Sequence, residues 1–241
     1  ARAQLLRSVR SLTTPYPKLK VWPVCADYTQ PYELPNIFNH GADRRVVFFP
    51  GSTIGNFAPP QAAEFLRHIA SVCGPGGGLL IGVDLKKDPR RLTAAYNDAR
   101  GVTAAFNLNL LQRINRELGA DFRLDQFSHH AFYNPREGRI EMHLVSLGDQ
   151  VVSLRGNSIP FALGESIWTE SSYKYSLEEF GQLAQSAGYQ VNHAWTDPAR
   201  LFSIQYLTVT ASPPPDPGTT PNGTSSGNGV SHAKRETGRH D

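Results

Sequence analysis

Apolar positions recur along the chain in two rhythms, one helical and one extended. Leu5, Leu6, Val9 and Leu12 form a short stripe at helical spacing over residues 1–12. Residues 19–26 are rich in valine and read as a strand that ends at Asp27-Tyr28. Val46, Val47, Phe48 and Phe49 follow one another within residues 45–50, as in a strand buried on both faces of a parallel sheet. A small-residue loop, Gly51-Ser52-Thr53-Ile54-Gly55-Asn56, leads into an amphipathic helix over 59–73 with proline in its first turn. After a turn at 74–78, residues 79–83 form another buried strand, ending at Asp84. Further helices are predicted at 90–98 and 102–118, then antiparallel strands at 127–134, 139–147 and 150–154, and an extended segment at 166–173. Ser176, with Glu179 three residues on, forms a capping box for a helix over 177–187. Residues 190–195 and 201–210 read as a final hairpin.

This order of elements predicts an α/β protein with a doubly wound sheet, in which ligands bind outside the carboxyl ends of the strands. Asp27, the loop 51–56 and Asp84 would all lie at that edge. Residues 1–87 would belong to the core, 88–172 to an inserted α+β lobe over the site, and 173–210 to the return into the core. From Ala211 onward Pro, Gly, Ser, Thr and Asn dominate, with Val230 the one large apolar residue. Residues 211–241 are therefore expected to be a disordered tail.

Composition narrows the classes. Of 241 residues, 39% are hydrophobic, enough for a sizeable core. The formal net charge of +3 comes from scattered lysines and arginines, so no nucleic-acid partner is expected. No apolar run reaches the length of a membrane span, and no signal peptide is recognised, so a cytoplasmic, monomeric protein is expected. Cys25 and Cys73 form no C-x-x-C pair and read as two buried free thiols. The histidines, His129-His130 included, lack metal-ligand spacing, so no metal is predicted. The chain opens on Ala1 in what reads as the middle of a helix, as expected for part of a longer protein.

Three clusters offer chemistry. The glycines of the 51–56 loop let backbone approach a ligand, and Asn56 can both donate and accept. A plain strand-to-helix connection capped by Asn56 explains the loop equally well. Asp27-Tyr28 places an acceptor beside an aromatic ring, as an adenine would require, or is a simple turn. In an extended segment Glu170, Ser172 and Lys174 share one face, which suits a heterocycle with two nitrogens or a merely polar sheet surface.

Five blocks choose among these options: F-F-P-G-S-T-I-G-N at 48–56, A-Y-N-D-A-x-G-V-T-A-A-F-N at 95–107, N-R-E-L at 115–118, R-I-E-M at 139–142 and W-T-E-S-S-Y-K at 168–174. In this order they resemble the histidine-specific methyltransferases that trimethylate the α-amine of L-histidine to hercynine, the first step of ergothioneine synthesis. The resemblance implies an incomplete class I (Rossmann-like) methyltransferase sheet with an inserted substrate-binding lobe, S-adenosylmethionine as cofactor and L-histidine as small-molecule substrate. By matching position, Asp27 and Tyr28 would hold the adenine. Asn56 and Tyr96 would hold the substrate's carboxylate and amine and serve as the catalytic pair, with Gly51 and Thr53 lining the same pocket. Met142, Glu170 and Ser172 would form the imidazole side, Glu170 and Ser172 bonding the ring nitrogens. The places of the family's glycine-rich loop, its ribose-binding acid and its N-terminal lobe would fall before residue 1. The same fold acting on another amino acid or an indole derivative, and a non-catalytic fragment, are the competing expectations.

Overall fold

The computed structural model describes residues 2–30 and 44–210. The predicted tail from Ala211 lies outside the described residues. Among the described residues, helices α1 (Arg2–Thr13), α2 (Pro59–Cys73), α3 (Pro89–Tyr96), α4 (Val102–Leu118) and α5 (Leu177–Ser186) accompany nine strands. These are β1 (Val46–Phe49), β2 (Gly78–Asp84), β3 (Phe127–Asn134), β4 (Arg139–Ser146), β5 (Gln150–Leu154), β6 (Asn157–Phe161), β7 (Ser166–Tyr173), β8 (Tyr189–Thr196) and β9 (Phe202–Val209).

The core sheet has the order β1-β2-β9-β8. β1 and β2 run parallel, joined through α2, while β9 inserts antiparallel between β2 and β8. Side chains alternate across it. Leu79, Ile81, Val83 and Leu207 point to the face covered by α2 and α5 and are buried. α2 meets them with Ala62, Phe65, Leu66, Ile69, Ala70 and Cys73, a stripe at helical spacing. α5 adds Phe180 and Ala184. Its capping box is present: the Glu179 N–H donates to Ser176 Oγ at 3.0 Å, and the Ser176 N–H donates to the Glu179 carboxylate at 2.7 Å.

The opposite face corrects one expectation. β1 is buried on one side only, with Val46 52% and Phe48 65% exposed. Ile204 and Trp195 are exposed on the same face, and among the described residues no helix covers it. Burial on both faces needs a second layer, and an apolar run does not supply one. Residues 19–26 form no strand: a strand exists by hydrogen bonding to a neighbour, and none among the described residues pairs with this segment. Cys25, on that segment, is exposed rather than buried, while Cys73 is buried in the core as expected.

A second sheet, β3-β4-β7, is antiparallel throughout, and β5-β6 forms a separate hairpin. β6 escaped the sequence reading because Pro160 interrupts it. Leu111 of α4 packs with Phe122, Phe127, Leu144, Val152 and Phe161 into a second small core. β7 carries a bulge opposite Met142/His143, where Thr169 is the extra residue. Beyond it the strand returns to the core sheet, where Tyr175 bridges to Leu85 in parallel.

Candidate active site

A cleft of about 450 Å3 opens where the two sheets meet. Its walls are Gly51, Ser52, Thr53 and Asn56 after β1, Asp84 at the end of β2, Tyr96 at the end of α3, Glu170, Ser172 and Lys174 on and after β7, and Phe202 on β9. These are the carboxyl ends of the parallel pair, where α/β sheets bind ligands.

The loop after β1 is held in a conformation that its residue types determine. Gly51 and Ser52 both adopt positive φ, 76° and 57°. Only glycine accepts this without steric cost, so Ser52 is strained locally. Its hydroxyl offsets this by accepting the Asp84 N–H at 2.9 Å, which ties the loop to the end of β2. Gly55 allows the following turn to press against β7: a Cβ there would sit 2.7 Å from the Tyr173 carbonyl oxygen. That approach brings exposed Asn56 to the cleft rim.

Tyr96 is aimed from the other side. The end of α3 is pinned to β3, where the Asn97 amide donates to the Ala131 carbonyl at 2.8 Å. His129 Nε2 lies 2.8 Å from the Tyr96 carbonyl, and Nδ1 lies 3.0 Å from the Asn107 amide nitrogen. A carbonyl only accepts and an amide nitrogen only donates, so this arrangement has His129 Nε2–H donating to the Tyr96 carbonyl and Nδ1 accepting from Asn107.

The Tyr96 hydroxyl donates to Ser172 Oγ at 3.0 Å. Lys174 Nζ donates to Tyr96 Oη at 2.9 Å and to Ser172 Oγ at 2.8 Å, and lies 2.7 Å from Asp84 Oδ2. Asp84 also pairs with Lys87. Glu170 differs from these neighbours. Its carboxylate has no hydrogen-bond or ion-pair partner among the described residues, and burial raises its pKa despite the opposing pull of Lys174. A half-buried, unpartnered carboxylate in a cleft is a group prepared for a ligand.

Of the residues singled out from sequence, Gly51, Thr53, Asn56, Tyr96, Glu170 and Ser172 therefore meet in one cleft. Met142 pairs with Glu170 across β4 and β7 but sits in a small core with Leu92, Ala131 and Ile140, behind the lining. Asp27 and Tyr28 lie apart, beside the end of β1. Tyr28 meets Phe49 and Phe65 edge-on, at ring centroids 5.9 and 6.1 Å apart, and remains 46% exposed. Asp27 Oδ1 accepts the Thr29 hydroxyl at 2.7 Å and the Thr29 N–H at 2.9 Å, bonds that hold the carboxyl below its usual pKa. Its second oxygen makes no hydrogen bond among the described residues. An ionised acceptor beside an exposed aromatic ring fits an adenine. Ser52, Asp84, Lys174 and Phe202 were not selected as site residues. The sequence signals for Lys174 were the period-two spacing of 170, 172 and 174 and its place at the end of the block W-T-E-S-S-Y-K. Among the described residues no cluster of histidine, cysteine or acidic side chains could hold a metal, and no helix is long and apolar enough to cross a membrane.

The description "histidine-specific methyltransferase, SAM-dependent" is that of a family whose pattern matches residues 1–209. The chain belongs to this family. It is 43% identical over 206 residues to the histidine N-alpha-methyltransferase of Mycolicibacterium smegmatis, a match covering 84% of this chain and 63% of that protein. Against the enzyme of the same name from Mycobacterium tuberculosis the identity is 42%, covering 78% and 58%. The ergothioneine biosynthesis protein 1 of Neurospora crassa is 34% identical over 64% of this chain and 17% of its own length. The chain thus spans about three fifths of the bacterial relatives it matches. Within the matched residues the chain holds a mixed four-stranded sheet with β1 and β2 parallel, and a separate antiparallel sheet β3-β4-β7.

Proposed function

We propose that the protein transfers methyl groups from S-adenosylmethionine to the α-amine of L-histidine, giving the trimethylated betaine hercynine. One observation carries the choice of substrate: Glu170, a half-buried carboxylate without a partner, faces the same cleft as the Ser172 hydroxyl. A carboxylate takes an N–H and a hydroxyl can serve the second nitrogen, the pair that an imidazole presents. An indole has one ring nitrogen and would leave one of the two unmatched. Family membership and the two bacterial relatives support the same reading.

Asn56 and Tyr96 both line the cleft and would hold the α-carboxylate and amine, with Gly51 and Thr53 lining the same pocket. Met142 would support the ring pocket from behind, through its pairing with Glu170. Asp27 would accept from the adenine amino group while Tyr28 covers the ring face. When bound, S-adenosylmethionine supplies the methyl carbon: the amine lone pair forms the new N–C bond as the C–S bond breaks to a neutral thioether. The chain's residues have to align the amine and keep it unprotonated, and no side-chain nucleophile is needed. The first two transfers give a secondary and then a tertiary ammonium, each of which loses one proton through the open cleft to water before the next transfer; the third gives the quaternary ammonium, which has no N–H left to lose.

Incubating the natural-length protein with L-histidine and S-adenosylmethionine should yield the trimethylated product by mass spectrometry. Methylation of tryptophan with histidine untouched would overturn the substrate assignment.

A further inference from the structure

We propose that Lys174 is a positioning residue that turns the Ser172 hydroxyl into a one-way donor, so that the cleft selects a ring nitrogen carrying a lone pair. The inference rests on the histidine reading above and extends it to a residue whose donors are all taken up within the protein.

An ammonium has three donors and no acceptor. All three donors of Lys174 have partners, at Asp84 Oδ2 (2.7 Å), Tyr96 Oη (2.9 Å) and Ser172 Oγ (2.8 Å). The side chain is 1% exposed, so water does not compete for them. Both hydroxyl oxygens must therefore accept from Lys174. Between the two hydroxyls, 3.0 Å apart, tyrosine donates to serine. A phenol is the stronger acid and hence the better donor. Ser172 Oγ then accepts twice, which fills its lone pairs. Its single proton finds no acceptor among these three groups and is free for the cleft that Ser172 lines.

Beside it Glu170 can only accept while ionised. The two groups form an ordered pair, one donor and one acceptor, that matches a neutral imidazole in a single orientation. Without Lys174, Ser172 would keep a lone pair free and could serve an N–H as readily as a bare nitrogen. The cation thus converts an ambiguous hydroxyl into a specific one. Lys87 also pairs with Asp84, so replacing Lys174 does not leave that carboxylate without a cation.

The test uses the two pyrrolylalanine isomers, in which CH replaces one or the other ring nitrogen of histidine. One isomer offers its N–H to Glu170, the other to Ser172. Calorimetric titrations of the natural-length protein, with S-adenosylhomocysteine present, would compare wild type, K174M, S172A and the double variant. Each variant is first shown to unfold cooperatively. Wild type should bind L-histidine and favour the first isomer strongly. K174M should narrow the isomer ratio by about tenfold, the scale of one hydrogen bond gained or lost. In the S172A background the same change should leave the ratio unmoved, a coupling that a merely structural role would not produce. Lys174→Gln, whose amide still donates, should narrow the ratio less and stands in if K174M fails to fold. Histidine binding with an isomer ratio indifferent to Lys174, or equally sensitive in both backgrounds, overturns the inference alone. Folded wild type that does not bind histidine overturns the substrate reading and the inference with it.

Discussion

Lys174, Tyr96, Ser172 and Asp84 interlock across α3, β2 and β7 in a network whose central cation is buried, whereas Asp27 and Tyr28 sit side by side in an exposed turn. For the Asp27 carboxylate, Thr29 is the one hydrogen-bond partner among the described residues, whereas the network draws on three elements. One end of the candidate site is thus built by tertiary packing, and the other by two adjacent residues. The network is held together because each N–H of Lys174 is matched to an acceptor in surroundings where an unmatched one would be costly. The turn draws its order from a local Asx-type bond and from the edges of Phe49 and Phe65. A substitution in the network should therefore disturb fold and ligand together, while one in the turn should disturb the ligand alone.

Four experiments sharpen or break that contrast. The largest effect is expected from Glu170→Ala, which should weaken L-histidine binding by about 1–3 kcal/mol, the usual range for a hydrogen bond to a charged group. Unchanged affinity by calorimetry would remove Glu170 from the pocket. Gly55→Ala puts a Cβ 2.7 Å from the Tyr173 carbonyl oxygen, against backbone that cannot turn aside. Overpacking of this kind should cost about 1–3 kcal/mol of stability and weaken histidine binding through displaced Asn56. Thermal denaturation and titration on the same sample separate the two losses.

Glu170→Gln should show the opposite sign in stability. Burial raises the Glu170 pKa, so the folded protein binds its proton more tightly than the unfolded chain does. Its contribution is fully present below the ordinary carboxylate range and is lost as pH rises through the raised folded-state value. At neutral pH the variant should melt slightly above wild type, and the difference should vanish or reverse on acidification below that range. A variant that melts lower at neutral pH would show that Glu170 is paired within the protein. The smallest structural effect belongs to Asp27→Ala, expected to leave the melting temperature essentially unchanged, as for exposed sites generally. Its effect should appear as weaker S-adenosylhomocysteine binding, and a large drop in melting temperature would show that the turn is integral to the fold.

Legibility in the sequence followed the range of the forces involved. The capping box of α5, the stripe of α2 and the limits of α4 were readable because their causes lie within a few residues. The 51–56 loop, Glu170 and Ser172 were readable as a bare pattern and became specific through the family blocks. The strand expected at 19–26 and the double burial expected of β1 failed together. Both depended on neighbours, a paired strand in one case and a covering layer in the other, that valine-rich composition cannot reveal. Trp168-Thr169-Glu170 read as plain extended chain, yet a bulge sits there, because the register shift depends on the partner strand.

Residue types and their local spacing determined the α/β class, most element positions and the residues that could contact a ligand. Side-chain periodicity and capping act over one or two turns, and those features need nothing more. Tertiary structure alone decided that Tyr96 and Ser172, 76 residues apart, share a hydrogen bond, and that Lys174 reaches both of them. An ammonium on a strand face is ordinarily solvated. Here the packing of β7 against the end of α3 and the carboxyl end of β2 excludes water, so its three donors must be satisfied by protein, and that requirement gives the two hydroxyls their direction.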